Sequence, residues 1–354
     1  MSGMTKRQRV LASVRREPLD AIPWQFDLTG ALADRLRAYY RTDDLLAATG
    51  DHMVWVFPAR SAGAPDLPSA GEGLVRDDFG TIWHRDSRDR NVGDWGGLYS
   101  VPLAEPSFEG YRFPDGAAAG TWDRAADIRR QYPDHFLTAV GSGLFERGWA
   151  LCGFENYLAW LAGETAFIEE LTERLADYSC RQTGQLKGLG VDGIRFGDDW
   201  GVQRSLMISP ETWRSVFKKY YRRIYAAAHQ AGLVVMIHSC GNITELLPDL
   251  IDVGVDVVHP LQPEAMDVAF CRREYGKDLS FWGGLGSQST LPLGTPQDNA
   301  RSARQMLDLF AGGGYILAPA GAAPTETPPE NIAAVVDVAR GQASQTAAQR
   351  AQIS

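Results

Sequence analysis

Apolar positions follow two rhythms along this chain. In the second half, short apolar runs rich in β-branched residues alternate with longer stretches in which apolar residues recur every three or four positions. The runs Phe136-Leu137-Thr138-Ala139-Val140, Ala150-Leu151-Cys152-Gly153, Gly193-Ile194-Arg195-Phe196, Val234-Val235-Met236-Ile237-His238, Val255-Asp256-Val257-Val258, Leu279-Ser280-Phe281-Trp282 and Tyr315-Ile316-Leu317 predict strands. The spacing between them predicts helices over about 164–188, 211–231, 243–252, 265–275, 296–311 and 329–340. Near the start, Val10, Leu11 and Val14 predict a helix over Met4–Arg16 that Pro18 stops, followed by strands at Ile22–Phe26 and Val54–Phe57. From about 61 to 111 the chain is dense in Gly, Pro, Asp and Trp, which predicts loops and small strands inserted between regular elements.

Runs this short and this apolar suit parallel strands covered on both faces, in either a doubly wound sheet or a (β/α)8 TIM barrel. The polar residues decide between them. Strand after strand ends in a small or functional cluster: Gly197-Asp198-Asp199-Trp200, His238-Ser239-Cys240-Gly241, His259-Pro260, Gly283-Gly284 and Ala318-Pro319-Ala320. In a barrel these ends converge on one mouth, whereas a doubly wound sheet concentrates them at one switch point. No G-x-G-x-x-G follows the first strand. The expected architecture is an α/β fold, a single (β/α)8 TIM barrel domain over 1–354, with an irregular insert at about 61–111 and a C-terminal tail at about 341–354.

Composition changes the picture by exclusion. A net charge of −9 argues against a nucleic-acid partner, and the basic run Lys6-Arg7-Gln8-Arg9 reads as one face of a helix. No apolar run approaches the ~20 residues that span a bilayer, and the N-terminus lacks the apolar stretch of a secretory signal. Four widely spaced cysteines suit reduced thiols, so the expected location is cytoplasmic.

His238 and Cys240 stand two apart on a strand, so both side chains face the same way, into the barrel mouth. An imidazole and a thiolate backed by a glycine turn make half of a zinc site, although a packed Cys beside a hydrogen-bonded His fits the same spacing. Asp198 and Asp199 are an acidic pair at a strand end. One of them is expected to face inward for acid–base work, substrate binding or support of His238; capping of a turn is the alternative. His259 ends another strand and is a further catalytic candidate. Gln203 is expected to contact substrate, and Trp24, Trp200 and Trp282, with Trp95 and Trp149, to wall a pocket.

Several of these segments together resemble the uroporphyrinogen decarboxylase superfamily. They are Arg16-Glu17-Pro18-Leu19-Asp20-Ala21-Ile22-Pro23, Asp198-Asp199-Trp200-Gly201, His238-Ser239-Cys240-Gly241-Asn242-Ile243, Leu247-Pro248-Asp249-Leu250, Gly254-Val255-Asp256, Pro260-Leu261-Gln262-Pro263-Glu264, Trp282-Gly283-Gly284, Gly313-Gly314-Tyr315-Ile316-Leu317-Ala318-Pro319 and Pro328-Pro329-Glu330-Asn331. True uroporphyrinogen decarboxylases carry an arginine-rich loop for the substrate carboxylates. Here Trp24-Gln25-Phe26-Asp27-Leu28-Thr29-Gly30 follows Pro23, with no arginine before Arg35. The H-x-C-G pattern looks instead like the cobalamin-dependent methyltransferase branch, in which His and Cys hold zinc. That resemblance implies zinc at His238 and Cys240. Relatives that methylate a thiol have a third, cysteine ligand near the last strand, where this chain has Ala318-Pro319-Ala320-Gly321 and where no Cys follows Cys271. Glu155, after the run ending at Gly153, is the first choice of third ligand, an acid favoured by the dipole at a helix N-terminus being its alternative reading, with His259, Asp198 and Asp199 as the other candidates.

The implied activity is transfer of a methyl group from a small methyl donor, such as a methyl ether, to cobalamin. No Asp-x-His-x-x-Gly segment is present to ligate a corrinoid, so the cobalamin is expected on a separate carrier protein. A corrinoid-free metal-dependent lyase, decarboxylase or hydrolase, and a non-catalytic small-molecule-binding protein, are the competing readings. Apolar surface on barrel helices would suit a homodimer.

Overall fold

The protein is described by a computed structural model covering residues 3–59, 73–84 and 97–353, with side chains to residue 342. Seven parallel strands form one curled sheet, in the order Met53–Val56, Phe136–Ser142, Gly193–Gly197, Val234–His238, Val257–Leu261, Ser280–Leu285 and Tyr315–Pro319. Residues 22–26 occupy the gap between the first and last of these. Gln25 donates to the Leu317 carbonyl at 3.0 Å and Leu317 to that of Pro23 at 2.9 Å, while His52 donates to Trp24 at 3.0 Å on the other side. This segment therefore stands where the eighth strand of a barrel belongs, making one parallel bridge from Trp24 to Leu317.

Asp51 secures that closing segment by accepting the Phe26 N–H at 3.2 Å. Burial pushes its carboxyl up to about 7. A folded value above the unfolded one stabilises the fold below about pH 4, and this contribution is lost as pH rises toward 7. Asp51→Asn is expected to remove that component, on the order of 4 kcal/mol at most. Urea midpoints measured from pH 4 to 8 would then fall less steeply for the variant; parallel curves would refute the assignment.

The lower end of the barrel is filled by the helix Lys6–Arg15, which Thr5 and Gln8 start with a reciprocal capping box. Its Val10 and Val14 enter an inner apolar cluster with Met53, Phe136, Met236, Val257, Trp282, Ile316 and Ala318. Ser13 fixes its depth, donating to the Tyr315 carbonyl at 2.7 Å and accepting the Tyr315 N–H at 3.1 Å. A larger apolar layer lies between the strands and the outer helices, as a barrel requires.

Two expectations need correcting. Ala150–Gly153 is not a strand: Phe145–Cys152 is a helix, separated by Gly153 from a second helix, Phe154–Gly163. Its last turn is apolar because it is buried, and a four-residue apolar run has no period by which to tell helix from strand. The final helix runs Pro329–Ile353, so residues 341–353 continue it where a separate tail was expected. The helices Gly30–Tyr40 and Ala125–Gln131 were also not anticipated. Within the insert, Leu74–Arg76, Ile82–His84 and Leu98–Ser100 form a small antiparallel sheet; Trp95 lies outside the described residues. No helix among the described residues is long and apolar enough to cross a membrane.

Candidate metal centre

The strand register brings Gly197, His238 and His259 side by side at the barrel mouth. His238 and Cys240 face the same side, with Cys240 Sγ 3.6 Å from His238 Nε2. The intervening Ser239 faces away, its Oγ accepting the Trp200 N–H at 2.9 Å. The chain then turns sharply at Gly241, whose φ is +81° and where a Cβ would stand 2.5 Å from the backbone of Gly201. Only glycine fits both demands.

Asp199 completes the group. Its Oδ1 lies 3.5 Å from His238 Nε2 and accepts the Cys240 N–H at 2.7 Å. Ligand atoms of Asp199, His238 and Cys240 all lie within 4.8 Å of one another. With Zn–S about 2.3 Å and Zn–N about 2.0 Å, a tetrahedral ion holds its sulfur and nitrogen donors about 3.5 Å apart. The separations here match that spacing before any ion is considered. One nitrogen, one sulfur and one oxygen donor also form a set that suits zinc and leaves a fourth position free.

The surroundings favour a cation at this point. Burial, with the nearby Arg195 charge, lowers His238 to about 4, so its imidazole is neutral and offers a lone pair. Burial and the Asp199 and Glu146 carboxylates push the Cys240 thiol up to about 12. Glu146, in the first turn of Phe145–Cys152, is pushed up to about 8 by burial and by Asp199 and Asp198. Ionising these acidic groups side by side is thus unfavourable without a cation, and a divalent ion would offset that cost. His238 Nδ1 is 2.7 Å from His259 Nδ1, and His259 lies 4.3 Å from the Trp282 ring. One of the two imidazoles must donate, and His238 can donate from Nδ1 while keeping Nε2 free for a metal.

The remaining candidates divide. Glu155 is exposed in the first turn of the helix Phe154–Gly163 and is not part of the donor group, because the strand expected to carry it is a helix. Asp198 points the other way from Asp199. It is fully buried, accepts the N–H groups of Leu144 and Phe145 at 2.9 and 3.0 Å and that of Glu146 at 2.6 Å, and accepts the Tyr221 hydroxyl. That is a capping role, and burial pushes its carboxyl up to about 7. Trp200 is sealed in the core against Trp213 and Tyr221, and Trp24 packs on His52, so neither lines the mouth. Trp149 packs on Phe154. Trp282 does reach the barrel interior, stacked on Trp55 at 5.6 Å. Gln203 lies exposed at the rim, donating to the Glu264 carbonyl at 2.6 Å. Glu146, Trp55 and Arg195 were not anticipated as site residues. Arg195 was legible in principle, since it lies two residues before Gly197 on an inward-facing register.

The sequence model of the uroporphyrinogen decarboxylase (URO-D) family matches residues 146–342. The chain belongs to the URO-D family. A curated relative of this URO-D protein is the methylated-thiol–coenzyme M methyltransferase of Methanosarcina mazei, 28% identical over 161 residues; the match covers 44% of this chain and 41% of that relative's length. Among solved structures, a methyltransferase from Methanosarcina mazei superposes with a TM-score of 0.73 at 19% identity, covering 96% of this chain and 99% of its own. A B12-independent methionine synthase from Shewanella sp. W3-18-1 gives 0.50 at 12% identity, covering 92% and 95%. These two likenesses establish the barrel fold.

Proposed function

We propose that this URO-D family protein is a zinc-dependent methyltransferase that takes a methyl group from a small methylated molecule and passes it to cobalamin on a separate carrier protein. The observation that carries the reading is the convergence of Asp199, His238 and Cys240 at spacings that suit zinc. The names of the M. mazei relatives support the reaction class. Zinc bound here would act as a Lewis acid on the heteroatom bearing the methyl group, making it a better leaving group.

The chain's own residues prepare that event. His238 and Cys240 come from one strand end and Asp199 from the neighbouring strand's end, and a zinc ion held by these three donors would keep a fourth position for substrate. A carboxylate as third donor makes the site harder than one with a second thiolate, which suits an oxygen-bound methyl group. His259 holds the His238 ring, and the Cys240 N–H bond fixes the Asp199 carboxylate. His259→Phe is therefore expected to weaken zinc binding about 10- to 100-fold, with a smaller loss for His259→Gln. Competition with a chromogenic chelator measures both, and an unchanged affinity in the Phe variant would rule out this positioning role.

The reaction is tested with zinc-loaded protein, reduced cobalamin and a panel of methyl ethers, thioethers and methylamines. Formation of methylcobalamin, followed by its absorbance, is the expected result. Consumption of a substrate with zinc but without any corrinoid would replace this reading with a metal-dependent lyase or hydrolase. A protein that binds no zinc would remove its basis.

A further inference from the structure

Below the donor group, the barrel interior holds a guanidinium that is no part of the donor set and acts on His238 only through space. Arg195 lies on the strand Gly193–Gly197 beside Val140 and Met236, and Met236 belongs to the inner cluster. Its guanidinium lies over the Trp55 ring at 4.4 Å. Trp55 in turn stacks on Trp282, and Trp282 meets His259. A continuous aromatic wall thus runs from Arg195 to the histidine that supports His238.

What Arg195 lacks, among the described residues, is a carboxylate partner. Its Nε is sealed from solvent without a hydrogen bond. Asp27, Asp199, Cys240 and Glu146 act on it only through space, Asp27 most strongly. The residue as a whole keeps partial exposure, while its Nε is sealed. Two more polar atoms on the inner wall are buried and unpaired: the Thr138 hydroxyl, on the strand between those of Trp55 and Arg195, and the Trp282 indole N–H. Buried polar atoms are rarely left so, and here all three are donors on the inward-facing side of the strands. A guanidinium remains charged even when buried, and its planar fork matches a carboxylate.

We infer that Arg195 binds the carboxylate of the substrate, with Thr138 and the Trp282 N–H in support, and that the methyl donor is a flat molecule lying along Trp55 and Trp282. Arg195 sits two residues below Gly197, about 7 Å along the strand, a depth that one six-membered ring with substituents at opposite ends can span. The methyl-bearing atom then reaches the Asp199–His238–Cys240 group while the acid end is held at Arg195. The inference rests on the metal-centred reading for its reacting end, but the anion site itself requires no metal.

The test measures binding by quenching of tryptophan fluorescence, with 4-methoxybenzoate and the uncharged 4-methoxybenzamide as probes, on protein with and without zinc. Wild type is expected to prefer the carboxylate by about 10- to 100-fold. Arg195→Gln is expected to erase that preference while leaving the amide affinity and the zinc content unchanged, and Arg195→Lys to restore part of it. Melting curves confirm that each variant is folded. Equal binding of the two probes by wild type would overturn the inference. So would loss of zinc in Arg195→Gln with the preference intact, since Arg195 would then serve the metal group alone. A preserved preference in protein that binds no zinc would refute the metal reading and leave the anion site standing.

Discussion

His238→Ala is expected to reduce bound zinc from about one ion per chain to below a tenth of that, and methyl transfer by at least about a hundredfold. This imidazole is the hub of the donor group, in reach of Cys240 Sγ at 3.6 Å and Asp199 Oδ1 at 3.5 Å. Its removal leaves the Cys240 thiol and the Asp199 carboxylate without the nitrogen donor that lies within reach of both. Cys240→Ser should fall in between, because a hydroxyl is a poor substitute for a thiolate. Metal analysis after gel filtration, alongside a melting curve, separates loss of metal from loss of fold. Full zinc retention in His238→Ala would sink the assignment.

Asp198→Ala is expected to cost on the order of 4 kcal/mol of stability, without being a direct test of chemistry. The change strands the Leu144, Phe145 and Glu146 N–H groups and the Tyr221 hydroxyl, all of which now find their acceptor in one buried carboxylate. Each unpaired buried donor costs about 1–3 kcal/mol. Asp198→Asn keeps one acceptor oxygen and should lose less. Urea unfolding measures both. A stable Asp198→Ala protein that is catalytically dead would move Asp198 from support into the reaction.

The neighbouring acid illustrates what a sequence can and cannot tell. Alternation along a strand predicts that one of Asp198 and Asp199 faces inward, but the strand ends at Gly197, so parity no longer says which. The fold resolves it by spending Asp198 on a helix start. The pair His238 and Cys240 was readable because two-residue spacing on one strand fixes a common direction. Asp199 joins them from 41 residues before Cys240, a proximity that depends on how adjacent strands are staggered. Glu146 was hidden for another reason: reading Ala150–Gly153 as a strand also misplaced the preferred ligand, Glu155, at a barrel mouth where no strand ends. The barrel itself was legible because its parallel strands are short apolar runs. Its closing segment was legible as extended chain, though not as a single bridge.

The plug formed by Lys6–Arg15 makes the barrel a blind alley. Anything that travels down to Arg195 must return by the route it took. If a carrier protein covers the mouth to collect the methyl group, it also locks the small molecule inside. The proposed reaction then acquires a fixed sequence of arrivals and departures: donor first, carrier second, carrier away before the demethylated product escapes. Excess carrier should therefore slow turnover by trapping product, an inhibition that an open-ended channel would not produce.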